Sequence, residues 1–502
     1  MGIIRRQASI NTILTYLGFG IGFVNVILLY PRLLTKEEFG LTRLFIELGD
    51  ISTGIILFGV PSVIIRFYPY YKKNKDKDLL FFSLLFCSIT MVICLSIIFL
   101  FRNEIIDRYC NGSILFAKYY YLVFLLIIFN VFLFVFNHFA IANEKTIIGM
   151  IGQQLLNRLF PMILLLLVLL KLIDFNVFIY LFAFNGFVQL LVLLIYMKQN
   201  GLLVFNTKIS LTSKKYFTQI VTYGLSIYVV LVVEILAQSI QVLTISHIHG
   251  IGNTAVYTVS SYIAQIIQIP QRSIGVIALP IIAKSWVEND FENINTVYKK
   301  SSLNLTVFGM FLFLIINVNM ESIFHIVGQG YRDGIHVCML MSFAYIIDLS
   351  YGLNNEIIST SKYWRFNSMT HIFLLFLLIP TNYFFIKQFG IIGAAYSLIL
   401  SLLIYNTWRM LFLYKKHKLF PFSKINLIII VYGIGLLLLI RYIFSKFTFE
   451  GDNTYIIYHF LFIIVKSIIV LLFYLLPIYF FKVSEDFNGM ADSIIRRIRD
   501  YI

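Results

Sequence analysis

Charge and cysteine are scarce in this chain of 502 residues. Asp, Glu, Lys and Arg together supply 13% of it, about half the share usual in soluble domains, while 60% is hydrophobic. Such a chain cannot clothe itself in a water-facing surface, which excludes a soluble enzyme or binding module. Its four cysteines, Cys87, Cys94, Cys110 and Cys338, show no pair spacing of a metal or redox motif and read as small hydrophobes. No glycine-rich phosphate loop ends in a lysine, so no ATPase is built in. His247 and His249 lie two apart in a turn, not at metal-ligand spacing, and no metal or cofactor is expected. Long loops are missing too: the longest are roughly 17 to 19 residues, such as 102–118 and 198–216. Neither holds a soluble domain or an outer catalytic loop, so the chain is not expected to be an enzyme.

What is present is long apolar runs. They cover 9–30, 41–65, 79–101, 119–141, 147–170, 175–197, 217–245, 255–282, 301–320, 335–358, 366–385, 391–413, 425–444 and 455–481. Each approaches the ~20 residues a helix needs to cross the hydrocarbon core. With no water to satisfy the backbone there, uninterrupted runs of this kind must be helices. The expected fold is therefore all-α: a polytopic membrane protein of about 14 transmembrane helices. The start, Met1 to Gln7, is followed by no small-residue cleavage site, so the first span is expected to be retained.

The net charge of +16 is unevenly spread. With the N-terminus inside, the inner segments hold 24 Lys and Arg and the outer ones 10. The positive-inside bias places both termini in the cytoplasm. The turn Lys72-Lys73-Asn74-Lys75-Asp76-Lys77 and the run Lys415-Lys416-His417-Lys418 suit anionic headgroups, and nucleic acid is not expected as a partner.

The chain reads as built twice. Leu33-Leu34-Thr35-Lys36-Glu37-Glu38-Phe39-Gly40 opens span 2, and Gly250-Ile251-Gly252-Asn253-Thr254-Ala255-Val256-Tyr257 opens span 8; Gly40 and Tyr257 are 217 apart. Lys145 after span 4 and Lys362 after span 10 repeat that offset. Six spans per copy is an even number, so both copies insert the same way and form parallel repeats, as in secondary transporters. The expected organisation is a six-helix lobe in 1–200, a second in 201–420, and transmembrane helices 13 and 14 in 421–481. An amphipathic cytoplasmic tail, 482–502, follows, with Ile494, Ile495, Ile498 and Ile502 on one face.

Several charges fall inside or at the ends of spans. The bases are Arg43, Arg66, Arg158, Arg272, Arg409, Arg441 and Lys466; the acids are Glu47, Asp50, Glu234, Asp348 and Glu356. A charge at mid-membrane costs at least ~2.5 kcal/mol, so it should meet a partner or an aqueous lumen. Arg43, Glu47, Asp50 and Gly54 form one stripe on span 2; Glu234, Gln238 and Gln241 form another on span 7, and Gln265, Gln268 and Arg272 a third on span 8. The planar fork of arginine suits phosphate, so Arg43, Arg158 and Arg272 are the expected lumen contacts of an anionic headgroup. Lys466, Arg66 and the four glutamines, Gln238, Gln241, Gln265 and Gln268, complete the substrate-binding set. Glu47, Asp50, Glu234 and Asp348 are the ion-coupling candidates. Two plainer readings stand beside these: Arg43–Glu47 as a structural ion pair, and Arg66 and Arg409 snorkelling from cytoplasmic ends.

Tyr30-Pro31-Arg32-Leu33-Leu34-Thr35-Lys36-Glu37-Glu38-Phe39-Gly40, followed by Gly59-Val60-Pro61-Ser62-Val63-Ile64-Ile65-Arg66-Phe67-Tyr68, resembles the start of polysaccharide-repeat flippases of the Wzx type. Asn253 to Tyr257 and Gly390-Ile391-Ile392-Gly393-Ala394-Ala395-Tyr396-Ser397 resemble their span-8 and span-12 signatures. That family belongs to the multidrug/oligosaccharidyl-lipid/polysaccharide exporter superfamily. The resemblance implies movement of undecaprenyl-pyrophosphate-linked oligosaccharide repeats, such as those of O-antigen and lipopolysaccharide, across the bacterial cytoplasmic membrane. It implies a lipid-linked oligosaccharide and membrane lipids as partners, with a polysaccharide polymerase and assembly proteins beside them. Gly40 and Pro61 read as structural. The main rival is a multidrug or cation antiporter of the same superfamily, whose lumen acids should dominate; a channel, polymerase or glycosyltransferase lacks the loops it needs.

Overall fold

The computed structural model describes residues 2–109, 114–203, 206–445, 456–489, 492–493 and 496. Cys110 and the tail isoleucines Ile494, Ile495, Ile498 and Ile502 lie outside the described residues. Among those described there is no strand. In chain order the helices are α1 (Ile13–Leu33), α2 (Lys36–Leu57), α3 (Val60–Asn74), α4 (Leu79–Leu100), α5 (Leu122–Ala142), α6 (Thr146–Leu169), α7 (Phe175–Ala183), α8 (Asn185–Gln199) and α9 (Leu211–His249). Next come α10 (Ile251–Glu288), α11 (Phe291–Val318), α12 (Met320–Val327), α13 (Gly334–Ser350), α14 (Asn354–Ser359), α15 (Trp364–Phe389), α16 (Ile392–His417), α17 (Lys424–Ser445) and α18 (Tyr458–Phe480).

Eleven of these are long and apolar enough to cross a membrane, and thirteen spans result if the bent pairs α2/α3 and α7/α8 each count once. The shorter α13 occupies the remaining expected position. Its run breaks at Gly352, whose φ of +66° is open only to glycine without strain, and resumes as α14.

Local chemistry explains the starts and breaks. Thr35 and Glu38 form a capping box at α2: each side chain accepts the other's backbone N–H, at 3.3 and 2.8 Å. Asp174, Ser210 and Asp290 cap α7, α9 and α11 in the simpler way. Span 2 bends by 42° at Phe58 and Gly59, both left-handed, and Pro61 restarts it as α3 where its missing N–H costs nothing. Gly40 packs on the backbone carbonyl of Ile251, which a β-carbon would approach to 2.0 Å, and Gly393 packs as closely on that of Phe385.

The chain forms two compact units, Met1–Thr258 and Val259–Ile502. The first reaches past residue 200, where the first six-helix lobe was expected to end, because α9 packs along α2 and α3. Repetition and packing draw different boundaries here. Within each unit the helix limits repeat: an offset of 217 carries Phe175, the start of α7, onto Ile392, the start of α16. It also carries Ala142, the end of α5, onto Ser359, the end of α14.

In the second unit the start of the tail is held to α11. Lys300 pairs with Glu485 at 3.2 Å, and Asn304 donates to Asp486 at 2.7 Å.

Candidate functional site

The polar stripe of α2 gathers three of the intramembrane charges of the first unit. Arg43 stands 5.2 Å from the centroids of both Tyr30 and Phe39, rings stacked on each other at 4.7 Å. Its Nε is buried and makes no hydrogen bond. One turn on, Glu47 accepts a hydrogen bond from the Ser239 hydroxyl of α9. Arg43 and Glu47 act on each other through space, without a direct ion pair. Asp50, another turn on, is exposed, as are Glu234 and Gln238 on α9. Gln241 differs: it is buried and accepts from the Tyr257 hydroxyl. Small residues let α2 and α9 approach, since a β-carbon on Gly54 would lie 2.3 Å from Ile235.

Arg158 follows a π-helical turn, Ile151–Leu156, a distortion found often at functional positions. Its Nη1 lies against Gly18 of α1, 2.6 Å from where a β-carbon would sit, and its carbonyl accepts from Asn25 at 2.8 Å. Arg66 is exposed on α3, its guanidinium 4.2 Å from the Tyr223 ring. The structure thus keeps Arg43 with Glu47 and Ser239, while Arg158 lies against Gly18 of α1.

The second unit holds a different kind of polar centre. Asp348 on α13 accepts from Asn406 at 2.8 Å and from Gln268 at 3.3 Å, and Asn354 donates to Asn406 at 2.9 Å. Arg409 was expected to snorkel; instead it is 2% exposed. Its Nε donates to Thr370 at 2.9 Å, its Nη2 to Asn367 at 2.7 Å and Asn355 at 3.3 Å, and it lies 4.0 Å over the Tyr405 ring. Proximity to a span end therefore did not decide its fate; a full set of acceptors on α14 and α15 did. Glu356 lies within electrostatic range of Arg409. Gln265 is half-buried and Arg272 exposed, both on α10. Lys466 is buried on α18, its Nζ 5.0 and 5.8 Å from the rings of Phe444 and Phe462, in the field of Glu321 and Arg441.

Sequence reasoning missed the amides. Asn354, Asn355, Asn367 and Asn406 carry the second centre, and Asn157, Asn185 and Gln189 make a smaller one in the first unit, at 2.6 and 3.2 Å. A signal was available: the 217 offset carries buried Asn137 onto buried Asn354, and buried Gln189 onto buried Asn406. Among the described residues, no group of three or more His, Cys, Asp or Glu could hold a metal ion.

Residues 4–286 match the family model described as polysaccharide biosynthesis protein. No curated protein matches the chain by sequence. Among solved structures it is similar to lipid II flippase MurJ in an inward closed conformation, with a TM-score of 0.68 and 13% identity, over 92% of this chain and 98% of that one. It is also similar to an inward-facing multidrug resistance MATE family transporter of the MOP superfamily, with a TM-score of 0.60 and 14% identity over 82% and 98%. A Vibrio cholerae MATE transporter, VcmN, follows at 0.53 and 12% over 82% and 97%. At these identities the likeness establishes a shared polytopic helical fold, and the family match covers more than half of the chain. The chain belongs to the polysaccharide biosynthesis protein family.

Proposed function

We propose that this protein is a flippase that moves undecaprenyl-pyrophosphate-linked oligosaccharide repeat units across the bacterial cytoplasmic membrane. The observation that carries the reading is the open stripe on α2: Arg43 with an unpartnered Nε, and Asp50 exposed, in a span whose other charges cost too much to keep idle. Family membership supports polysaccharide export, and the likeness to a lipid II flippase, MurJ, supports a lipid-linked cargo. The recurrence of helix limits at 217 supports two parallel repeats working by alternating access, each termini-inward lobe rocking against the other. Both chain termini are then cytoplasmic, no covalent step is catalysed, and Arg43, Arg158 and Arg272 contact the anionic headgroup. The test is surface polysaccharide in a strain carrying each arginine-to-alanine variant, beside membrane abundance of the protein. Export should vanish with abundance nearly unchanged. Normal export would move the headgroup site elsewhere, and loss of the protein would make the arginines structural.

A second reading is favoured by one observation: Glu47, Asp50 and Glu234 gather three acids on α2 and α9. A multidrug or cation antiporter would use them. Survival under cationic drugs, with polysaccharide export unaffected by Asp50→Asn, would select that reading.

A further inference from the structure

A cavity of about 730 Å³ lies in the first unit, and none of the charged candidates named above lines it. Its walls are apolar: Val60 and Val63 of α3, Phe86 and Ile89 of α4, Phe217 and Val221 of α9. α3 packs against both α4 and α9, and all three line the cavity. From Val60 to Tyr71, its lining stretch on α3 rises ~16 Å, about half of the ~30 Å hydrocarbon core. This wall is about as long as one leaflet is thick.

Its two ends differ. At one end α2 stops: Phe58 and Gly59 take left-handed backbone, and a β-carbon on Gly59 would meet the Gly224 carbonyl at 2.5 Å, so α9 and the bend close the groove. At the other end are Tyr71, Ser213 and Lys214. There the basic turn is fastened to the start of α9. Asn74 donates to Thr212 at 2.7 Å, Tyr71 and Ser213 share a hydrogen bond of 2.8 Å, and Asp78 accepts from the Ser210 N–H and the Ser213 hydroxyl at 2.9 and 2.6 Å. Buried Asp78 takes both bonds through Oδ2, its Oδ1 having no partner; Lys214 lines the cavity, and Lys72, Lys73, Lys75 and Lys77 stand with Asp76 in the adjoining turn.

We infer that this groove takes the isoprenoid tail of a polyprenyl diphosphate before its headgroup passes to the α2 stripe, with the diphosphate beside Lys214 at the mouth. An apolar slot whose α3 wall is about as long as one leaflet is thick, with Lys214 lining the end away from the bend, complements an anionic lipid. The inference rests on the flippase reading, and it adds where the lipid is held: on α3 and α9, the helices that continue from and pair with the polar stripe.

The test uses the full chain in nanodiscs with a tail-diazirine polyprenyl diphosphate, and a diazirine phosphatidylglycerol as the comparison probe. The diphosphate should label peptides within 79–89 and 217–225. Ile89→Trp and Val221→Trp, both at exposed positions, should lower that labelling roughly tenfold. Ile464→Trp, at a lipid-facing position on α18, should not. Even labelling of all lipid-facing helices, or equal labelling of the groove by phosphatidylglycerol, overturns the inference. Surface polysaccharide separates the two failures. If the groove-filled variants export normally while Arg43→Ala does not, the groove falls and the flippase reading stands. If the unaltered chain restores no export to a strain lacking it, the flippase reading falls and takes the groove with it.

Discussion

Arg409 in the second unit and Arg43 in the first are both span arginines, and they are treated in opposite ways. Arg409 is 2% exposed and donates to Thr370, Asn367 and Asn355, with Tyr405 beneath it. Arg43 has two rings beside it, an unpartnered Nε and Glu47 one turn away. The acids divide likewise: Asp348 accepts from Asn406 and Gln268, whereas Asp50 is exposed. A buried charge with a complete set of partners holds the structure together; a charge left short of partners is available to a ligand. The comparison assigns structure to one centre and function to the other.

The largest expected effects come from breaking it at the arginines. Arg43→Ala should abolish surface polysaccharide and leave abundance near that of the unaltered chain. Arg409→Leu strands three acceptors and the field of Asp348, a loss of about 3–5 kcal/mol that should deplete the protein from the membrane. Lysine should rescue Arg43 only in part, because it lacks the bidentate fork. Export and abundance measured for both variants decide the matter: the reverse pattern, with Arg43→Ala unstable and Arg409→Leu abundant but inactive, would exchange the roles of the two centres.

Next in size are the acids. Asp348→Asn turns one acceptor oxygen into a donor facing Asn406 or Gln268, which should cost about 1–3 kcal/mol. Asp50→Asn meets no such partner and should leave thermal stability unchanged while altering transport. Melting of the two purified variants, side by side, sharpens the contrast; equal destabilisation would mean that Asp50 too is structural.

Much of this was legible in the sequence, and unevenly so. Hydropathy found the spans because bilayer thickness imposes length on each helix independently, with no knowledge of neighbours. The capping box at Thr35 and Glu38 is likewise local, and so is the bend prepared by Gly59 and Pro61. Arg409 was misjudged because its position near a span end said nothing of Asn355 and Asn367, which are 54 and 42 residues away. The Glu47–Ser239 bond joins residues 192 apart, and no helical period on either span could announce it. Partners at such distances are properties of packing. The 217 offset was the one long-range signal on hand, and applied to amides rather than to charges it would have pointed to Asn354 and Asn406.

A smaller effect tests the backbone between the two functional parts of the first unit. Gly59 has φ of +78° and touches the Gly224 carbonyl, so Gly59→Val meets both strain and a clash. A cost of about 1–3 kcal/mol is expected, together with weaker labelling of the groove by the diphosphate probe. Gly20, where a β-carbon meets nothing within 4 Å, is the control, and Gly20→Ala should change neither. An unaffected Gly59→Val would show that the bend tolerates rebuilding and is not a fixed wall.

The smallest effect belongs to Asp174, outside the spans at the start of α7. The Val177 N–H at 2.9 Å, then the Asn176 side chain, hold its carboxyl below the usual carboxylate range, with Lys118 adding to them. A carboxyl whose folded-state pKa is depressed stabilises the fold at pH above its unfolded value, and that contribution is lost as pH falls through the folded value. Asp174→Ala should therefore lower the melting temperature slightly at neutral pH, and the difference from the unaltered chain should shrink in acid. Because the group is exposed, salt should weaken its electrostatic part. A difference that grows as pH falls would mean that Asp174 acts in its protonated form, and the cap would have to be reassigned.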